Sequence, residues 1–191
     1  CLRLLASTAV LSHGITLRGC TAQGSTSSHG GGAYLSSSSS IEMHTDVTVR
    51  DCAAGREGGA VYASASSVVA HGGVQFLDSS SATSGGCLRL LASSAVLSEG
   101  VSLRGCTTTT TASNSQGGAA FMSSGSSLEM HTNVTVRECV SIRDGGAMYV
   151  TTSSSLVARG GVQFLDCSSS TNGGCLRLAA GNAVLSEGVT L

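Results

Sequence analysis

Short stretches of alternating apolar and polar residues run along the whole chain. In the segment from Val47, the apolar residues Val47 and Val49 alternate with Thr48 and Arg50. A period of two residues is typical of a strand with one buried face. No competing 3.6-residue period, the signature of an amphipathic helix, is present. The pattern therefore predicts an all-β chain.

The pattern also repeats over long distances. The opening segment from Cys1 recurs from Cys87 and again from Cys175, at separations of 86 and then 88 residues. A finer period of about 28 residues, marked by Gly-Gly before Cys or Ala, divides each block into three rungs. We expect one solenoid over residues 1–191, with blocks 1–86, 87–174 and a partial block 175–191. The predicted rung starts are Cys1, Ala33, Ala60, Cys87, Ala119, Ala147 and Cys175.

Each rung is interpreted as three short strands, for example AVYAS from Ala60, SVVAH ending at His71 and VTVRDC from Val47. One column between the second and third strands contains only Gly, Asn and Asp, the residues that best tolerate a left-handed backbone. This column predicts a corner in every rung. Its members are Gly14, Asp46, Gly73, Gly100, Asn133, Gly161 and Gly188. Corners at fixed positions predict a right-handed parallel β-helix, that is, a solenoid with three strands per rung.

Stacked rungs place equivalent residues about 4.8 Å apart, so that each alignment column becomes a ladder. Two apolar columns of the third strand are predicted to face inward and form a thin core. No single rung could form this core, so we expect stability to be nearly a sum over neighbouring rungs. The first column is Ile15, Val47, Val74, Val101, Val134, Val162 and Val189; the second is Leu17, Val49, Phe76, Leu103, Val136, Phe164 and Leu191.

The segments GGAVYAS from Gly58 and GGVQFLDSSS from Gly72 carry a family resemblance. Their Gly-Gly-Ala opening, apolar strand and Phe before a polar turn resemble the repeats of polymorphic outer-membrane proteins and autotransporter-like β-helical passenger domains. The resemblance covers essentially the whole chain as a repeat pattern, although Phe76 and Phe164 are followed by Leu-Asp instead of the family's Asn. It implies the β-helix fold and a surface-exposed, adhesin-type role.

The composition argues against nucleic-acid binding and membrane association. The chain has 26 Gly, no Pro, no Trp and 3% aromatic residues, so apolar burial depends on small side chains. Charged residues are 11% of the chain and the formal net charge is −1, which gives no basic surface for nucleic acid or an anionic membrane. No apolar run is long enough for a membrane span. The sequence opens and stops in mid-repeat, and we expect both natural ends to lie beyond it.

The eight cysteines occupy two columns and lack the spacing of metal motifs. This usage favours an oxidising, extracellular setting and disulfide bonds, with buried free thiols as the alternative. Neighbours on adjacent rungs lie within disulfide range, which predicts the pairs Cys20–Cys52 and Cys106–Cys139. Cys167 is left beside Cys175 across a short turn, Cys87 is expected to be unpaired, and Cys1 is expected to bond with a residue before the segment.

Acidic residues also recur on neighbouring rungs and raise the possibility of catalysis. A carboxylate pair can support glycoside hydrolysis or bind Ca²⁺. Because the pairs recur with the large repeat, whereas an active site is unique in its chain, a structural role neutralised by Arg50 and Arg137 is favoured. The pairs are Asp51 with Asp78 and Glu138 with Asp166.

The sequence argues against two further functions, metal binding and ice binding. His44 and His71 are rung neighbours, but Arg159 and serines also occupy their column, so no third ligand is found beside them and no metal site is predicted. Ice binding requires a regular Thr array. The outward column of the third strand is instead mixed, and the next column carries bulky Arg. That mixed column is Thr16, Thr48, Gln75, Ser102, Thr135, Gln163 and Thr190.

The sequon at Asn133 is a candidate N-glycosylation site, although Asn133 also fills a corner position. Together these features predict a non-enzymatic, secreted structural protein, without a cofactor, that forms or decorates a filament, appendage or cell-surface layer. Its predicted partners are further copies or other structural subunits, with attached glycans. The alternatives are an adhesin or passenger-type binding domain and, less favoured, a carbohydrate-active enzyme or an ice-binding protein.

Overall fold

The computed structural model describes residues 1–24, 28–111 and 113–191. Within these residues every regular element is a β-strand and there is no helix. All strand pairs are parallel and join one turn of the chain to the next, so the molecule is an all-β parallel solenoid. Two sheets have seven strands and two have six, which corresponds to between six and seven turns.

The first and second sheets contain the longest strands, each of four residues. The first sheet comprises β1 (Leu2–Leu5), β5 (Ala33–Ser36), β9 (Val61–Ser64), β13 (Leu88–Leu91), β17 (Ala120–Ser123), β21 (Met148–Thr151) and β25 (Leu176–Ala179). The second comprises β2 (Thr8–Leu11), β6 (Ser40–Met43), β10 (Ser67–Ala70), β14 (Ser94–Leu97), β18 (Ser127–Met130), β22 (Ser155–Ala158) and β26 (Asn182–Leu185).

The third sheet contains three-residue strands, and a fourth sheet contains strands of two residues. The third comprises β3 (Thr16–Arg18), β7 (Thr48–Arg50), β11 (Gln75–Leu77), β15 (Ser102–Arg104), β19 (Thr135–Arg137) and β23 (Gln163–Leu165). The fourth comprises β4 (Thr21–Ala22), β8 (Ala53–Ala54), β12 (Ser80–Ser81), β16 (Thr107–Thr108), β20 (Val140–Ser141) and β24 (Ser168–Ser169). The prediction of three strands per rung missed this fourth sheet, because two residues are too few to show an alternating pattern.

The spacing of the turns follows the predicted period. First-sheet strands begin at residues 2, 33, 61, 88, 120, 148 and 176, which gives steps of 31, 28, 27, 32, 28 and 28 residues. The two long steps have their extra residues in the connection from the fourth sheet to the next first-sheet strand, at 23–32 and 109–119. Insertions therefore fall outside the sheets and leave the stacking unchanged.

One predicted rung start is wrong by a single residue. Ala33 pairs with Leu2, so the residue that stacks on Cys1 is Gly32. Three consecutive glycines made the sequence alignment ambiguous at this point. The structure resolves it, because Gly30 has the left-handed φ of 65° that Gly58 has at the same place in the next turn, where φ is 68°.

The predicted corner column is confirmed. All seven of its residues have positive φ, from 60° at Asn133 to 79° at Gly161. A second left-handed column, which the sequence analysis did not recognise, follows the third strand with φ between 47° and 63°; it contains Gly19, Asp51, Asp78, Gly105, Glu138 and Asp166. The acidic residues of this column therefore occupy a corner of the backbone.

The interior is a continuous stack of aliphatic, methionine and cysteine side chains with two phenylalanines. Val47 and Val49 are fully buried, as are Phe76 and its neighbours along the two predicted ladders. Ile15, Leu17 and Val189, in the outermost turns, are partly buried against the same core. Leu191 departs from the prediction and is 64% exposed, since no strand covers it.

A ladder of buried serines lines the corner between the first and second sheets. The backbone N–H groups of Ser66, Ser93 and Ser126 donate to the hydroxyl oxygens of Ser93, Ser126 and Ser154, at 3.1 to 3.2 Å. The hydroxyl of Ser93 in turn donates to the Leu91 carbonyl, and that of Ser126 to the Ser123 carbonyl. The hydroxyls thus satisfy buried backbone groups that the bend removes from the sheets.

Candidate functional site

A cluster of two histidines and one glutamate lies on the outer face of the second sheet. Glu42 is in β6, and His44 follows that strand on the same face, two residues on. The next turn brings His71 beside His44, with ring centroids 5.3 Å apart. The Glu42 carboxylate Oε1 lies 3.1 Å from His44 Nε2 and 3.6 Å from His71 Nε2. The three side chains thus direct one potential ligand atom each toward a common point.

The surroundings of the cluster form a shallow groove of about 230 Å³, lined by His44, Thr45, His71, Gly72 and Glu99. The other ring nitrogen of His71, Nδ1, lies 3.4 Å from the Ser98 hydroxyl oxygen on the following turn. This contact holds the ring so that Nε2 faces Glu42. The groove is partly open to solvent: the side chains of Glu42, His44 and His71 are 30 to 45% exposed.

The prediction that His44 and His71 lack a third ligand is wrong. Glu42, His44 and His71 supply one ligand atom each, and all of these atoms lie within 4.8 Å of one another. The third group comes from the neighbouring outward column, so the histidine column alone does not reveal it. The signal that could have found it is the Glu-Met-His triplet at 42–44, since residues i and i+2 of a strand share a face.

The second block repeats only part of this arrangement. Glu129 and His131 form the same contact, with His131 Nε2 3.1 Å from Glu129 Oε2. Arg159 occupies the register position that His71 has in the first block, because Ala158 pairs with Met130 as Ala70 pairs with Met43. The complete cluster is therefore a departure from the repeat.

Two disulfides cross the interior within single turns. Cys1 bonds with Cys20 and Cys87 bonds with Cys106, at Cα separations of 5.4 and 5.3 Å. The predicted pairs Cys20–Cys52 and Cys106–Cys139 are wrong, as are the expectations that Cys87 is unpaired and that Cys1 bonds outside the segment. Two cysteine columns are involved, and they face each other across each turn.

Side-chain direction explains the correction. Stacked residues of parallel strands point the same way, so their Cβ atoms stay near the 4.8 Å rung spacing, beyond the 3.5–4.5 Å that a disulfide needs. Residues across the turn point toward each other instead. In the second turn the position facing Cys52 is Gly32, where an added Cβ would lie 3.4 Å from the Cys52 Sγ. Cys52 thus has no cysteine opposite it.

Four cysteines are free, and three of them form a connected set. Cys139 and Cys167 stack in one column, while Cys175 has its Sγ 3.8 Å from the Cys167 carbonyl oxygen. The predicted neighbours Cys167 and Cys175 thus lie close together without a bond. Hydrogen bonding from the thiol of Cys139, supported by that of Cys175, lowers the pKa of Cys167 to about 7. The same contact raises the pKa of Cys139, and burial raises that of Cys52.

Arginines neutralise the carboxylates of the second corner column. Asp51 Oδ2 lies 3.0 Å from Arg50 Nε and 3.1 Å from Arg18 Nε. Glu138 makes equivalent contacts with Arg104 at 2.8 Å and Arg137 at 2.9 Å. Hydrogen bonding to Arg50 lowers the pKa of Asp51, and hydrogen bonding to Arg104 lowers that of Glu138. Asp78 and Asp166, the other halves of the predicted acidic pairs, lie exposed in the same column.

In the outward column of the first sheet, single arginines are separated by pairs of stacked aromatic rings. Tyr34 and Tyr62 stack at 5.4 Å between ring centroids, and Phe121 stacks on Tyr149 at 5.3 Å. The Arg89 guanidinium lies 4.3 Å from the Phe121 ring centroid, within cation–π range. The whole column is Arg3, Tyr34, Tyr62, Arg89, Phe121, Tyr149 and Arg177. Tyr62, Arg89 and Phe121 in this column are buried, and the ring and guanidinium contacts join one turn to the next.

Asn133, the glycosylation candidate, is exposed at its corner with φ of 60°. Its side chain lies above the following turn, since a Cβ added to Gly161 would be 2.9 Å from Asn133 Oδ1. The amide is therefore accessible, while the backbone conformation is one that glycine also adopts in this column.

Among the described residues there is no helix of the length and apolarity that a membrane span requires. In comparisons with known proteins, no family model, no curated protein and no solved structure matches this chain.

Proposed function

We propose that this chain is part of an extracellular structural solenoid that forms or decorates a filament, appendage or cell-surface layer. The observation that carries the proposal is that each turn stacks on the next through the same structural features. The corner residues, the serine ladder and the inward apolar columns recur with the same contacts from one turn to the next. A shaft needs such uniformity, because each turn is stabilised by its neighbours and length is gained by repetition.

The coil is proposed to be right-handed. Parallel strands joined by a crossover connection within one sheet adopt the right-handed arrangement in nearly all known cases, because the strands themselves twist in that sense. The parallel pairing in all four sheets supports applying that rule here.

The extracellular assignment is supported by Cys1–Cys20 and Cys87–Cys106, since disulfides persist mainly in oxidising compartments. The proposed partners are further copies of the chain or other structural subunits, with a glycan at Asn133. Catalysis is not part of the proposal, because Asp51 and Glu138 are engaged by arginines. A groove of about 470 Å³ follows the corner between the first and second sheets and is lined by serine, alanine and glycine, with no titratable group.

Two measurements on intact cells test this proposal. An antibody raised against the folded chain should label the surface without permeabilisation, along an extended structure in immunogold electron microscopy. Rapid alkylation before lysis, followed by mass spectrometry, should find Cys87 and Cys106 protected as a disulfide. A protein that is confined to the cell interior, with both thiols alkylated, would overturn the proposal.

A further inference from the structure

The Glu42–His44–His71 cluster has the ligand types and separations of a transition-metal site. Imidazole nitrogen and carboxylate oxygen are ligands that Zn²⁺ and its neighbours in the first transition series accept. With metal–ligand distances of about 2.0–2.2 Å, tetrahedral coordination places ligand atoms about 3.4 Å apart. The observed separations of 3.1 Å and 3.6 Å from Glu42 Oε1 to the two Nε2 atoms bracket this value.

We propose that Glu42, His44 and His71 bind a divalent transition-metal ion such as Zn²⁺, with the remaining coordination position open to water. All three ligand atoms lie within 4.8 Å of one another, so small side-chain rotations complete the site. The ion would join β6 to β10 and thus link two turns of the solenoid on their outer face.

The surroundings of the cluster fit a bound cation. The Ser98 hydroxyl at His71 Nδ1 orients the ring and leaves Nε2 for the metal, as outer contacts do in metal sites. Glu99 lines the same groove and adds a second acidic residue to its walls. Glu42 and Glu99 together would balance the two positive charges of the ion.

The second block provides an internal comparison. Glu129 and His131 reproduce two of the three ligands at the same distance, but Arg159 stands where the third ligand is needed. A cation at that position opposes metal binding. The proposal therefore predicts one site per chain, and it predicts which single substitution would create a second.

Cobalt titration of the full chain tests the site. The purified protein is stripped with a chelator, its accessible thiols are alkylated, and Co²⁺ binding is followed by the visible d–d absorption. We expect one equivalent to bind without the near-ultraviolet sulfur-to-cobalt absorption, and Zn²⁺ to displace it. His71→Ser should weaken binding at least about tenfold, since even loss of an outer contact costs that much. Serine already occupies this column at Ser98, so the variant should fold.

Matched variants in the second block complete the design. His131→Ser should leave binding unchanged, and Arg159→His should raise the stoichiometry from one to two equivalents. Thermal unfolding with and without Zn²⁺ gives an independent readout, in which the midpoint rises for the original chain and not for His71→Ser. Absence of binding by the alkylated chain, equal binding by His71→Ser, or a single equivalent bound by Arg159→His would each overturn the proposal.

Discussion

The disulfide between Cys87 and Cys106 should be a large contributor to stability, and its magnitude can be worked out. The bond closes a loop with a sequence separation of 19 residues. In the chain-entropy description, a loop of about 20 residues removes roughly 11 cal/mol/K from the unfolded ensemble, or about 3 kcal/mol at 25 °C. Both cysteines are fully buried, so the bond holds the middle of the solenoid.

The perturbation is the double substitution Cys87→Ala and Cys106→Ala. Alanine already stacks beside Cys87, at Ala60 and Ala119, so the first change should introduce no strain. Urea unfolding followed by circular dichroism should give an unfolding free energy lower by about 3 kcal/mol. Adding a reductant to the original chain breaks both disulfides, and it should lower the unfolding free energy by at least as much.

Two controls distinguish the stability lost with the covalent bond from the stability lost with the buried sulfur atoms. Cys139→Ala removes a buried sulfur from the column of Cys106 without breaking a bond, and measures the packing loss alone. Removal of Cys1–Cys20, which has the same separation of 19 residues, should cost less, because Cys1 is exposed and the first turn can open before the rest. If the central double substitution costs no more than Cys139→Ala, the entropic reasoning is refuted.

Three further predictions follow from single positions. Gly59→Ala should lower the unfolding free energy by about 2–3 kcal/mol in urea denaturation, because the alanine Cβ would overlap the carbonyls of the neighbouring turn. As a control, Gly73→Asn places a side chain at a left-handed position with open space, and it should lower the unfolding free energy by less than about 1 kcal/mol. Alkylation of Cys167 should be half-maximal near pH 7 and rise with pH as the thiolate forms, and Cys139→Ala should move that midpoint upward; a midpoint that Cys139→Ala leaves unchanged would contradict the hydrogen-bond explanation. Secretion from a eukaryotic host should add an N-glycan at Asn133, removed by Asn133→Gly without loss of the fold; an unmodified mass would count against the assignment.

Much of the fold could be predicted because its determinants are periodic. The column from Gly14 to Gly188 has a left-handed backbone in every turn, and it contains only glycine, asparagine and aspartate, the residues that best tolerate that conformation. The inward ladders, such as that from Val47 to Val162, follow from the alternation of apolar and polar residues in each strand and from the stacking of equivalent residues in neighbouring turns. Register was less certain where composition is uniform, as in the three glycines that precede Ala33.

The errors at the cysteines and at the metal cluster have a common physical cause. An alignment places residues in columns, and a column gives the distance between stacked neighbours but not the direction of their side chains. Cys20 lies one turn from Cys52, yet its side chain faces Cys1. Similarly, Glu42 belongs to a different column from His44 and His71, and only their shared outward face brings the three together.

The two long connections, at 23–32 and 109–119, add residues to the chain outside the four sheets. They occur once in each block of three turns, and the sheets pass them without a change of register. Three turns at the usual rung spacing correspond to about 14 Å. An array of such blocks would therefore present one long connection on the same edge of the solenoid at intervals of about 14 Å. The sequences of those loops can therefore change without altering the spacing that the sheets set between them.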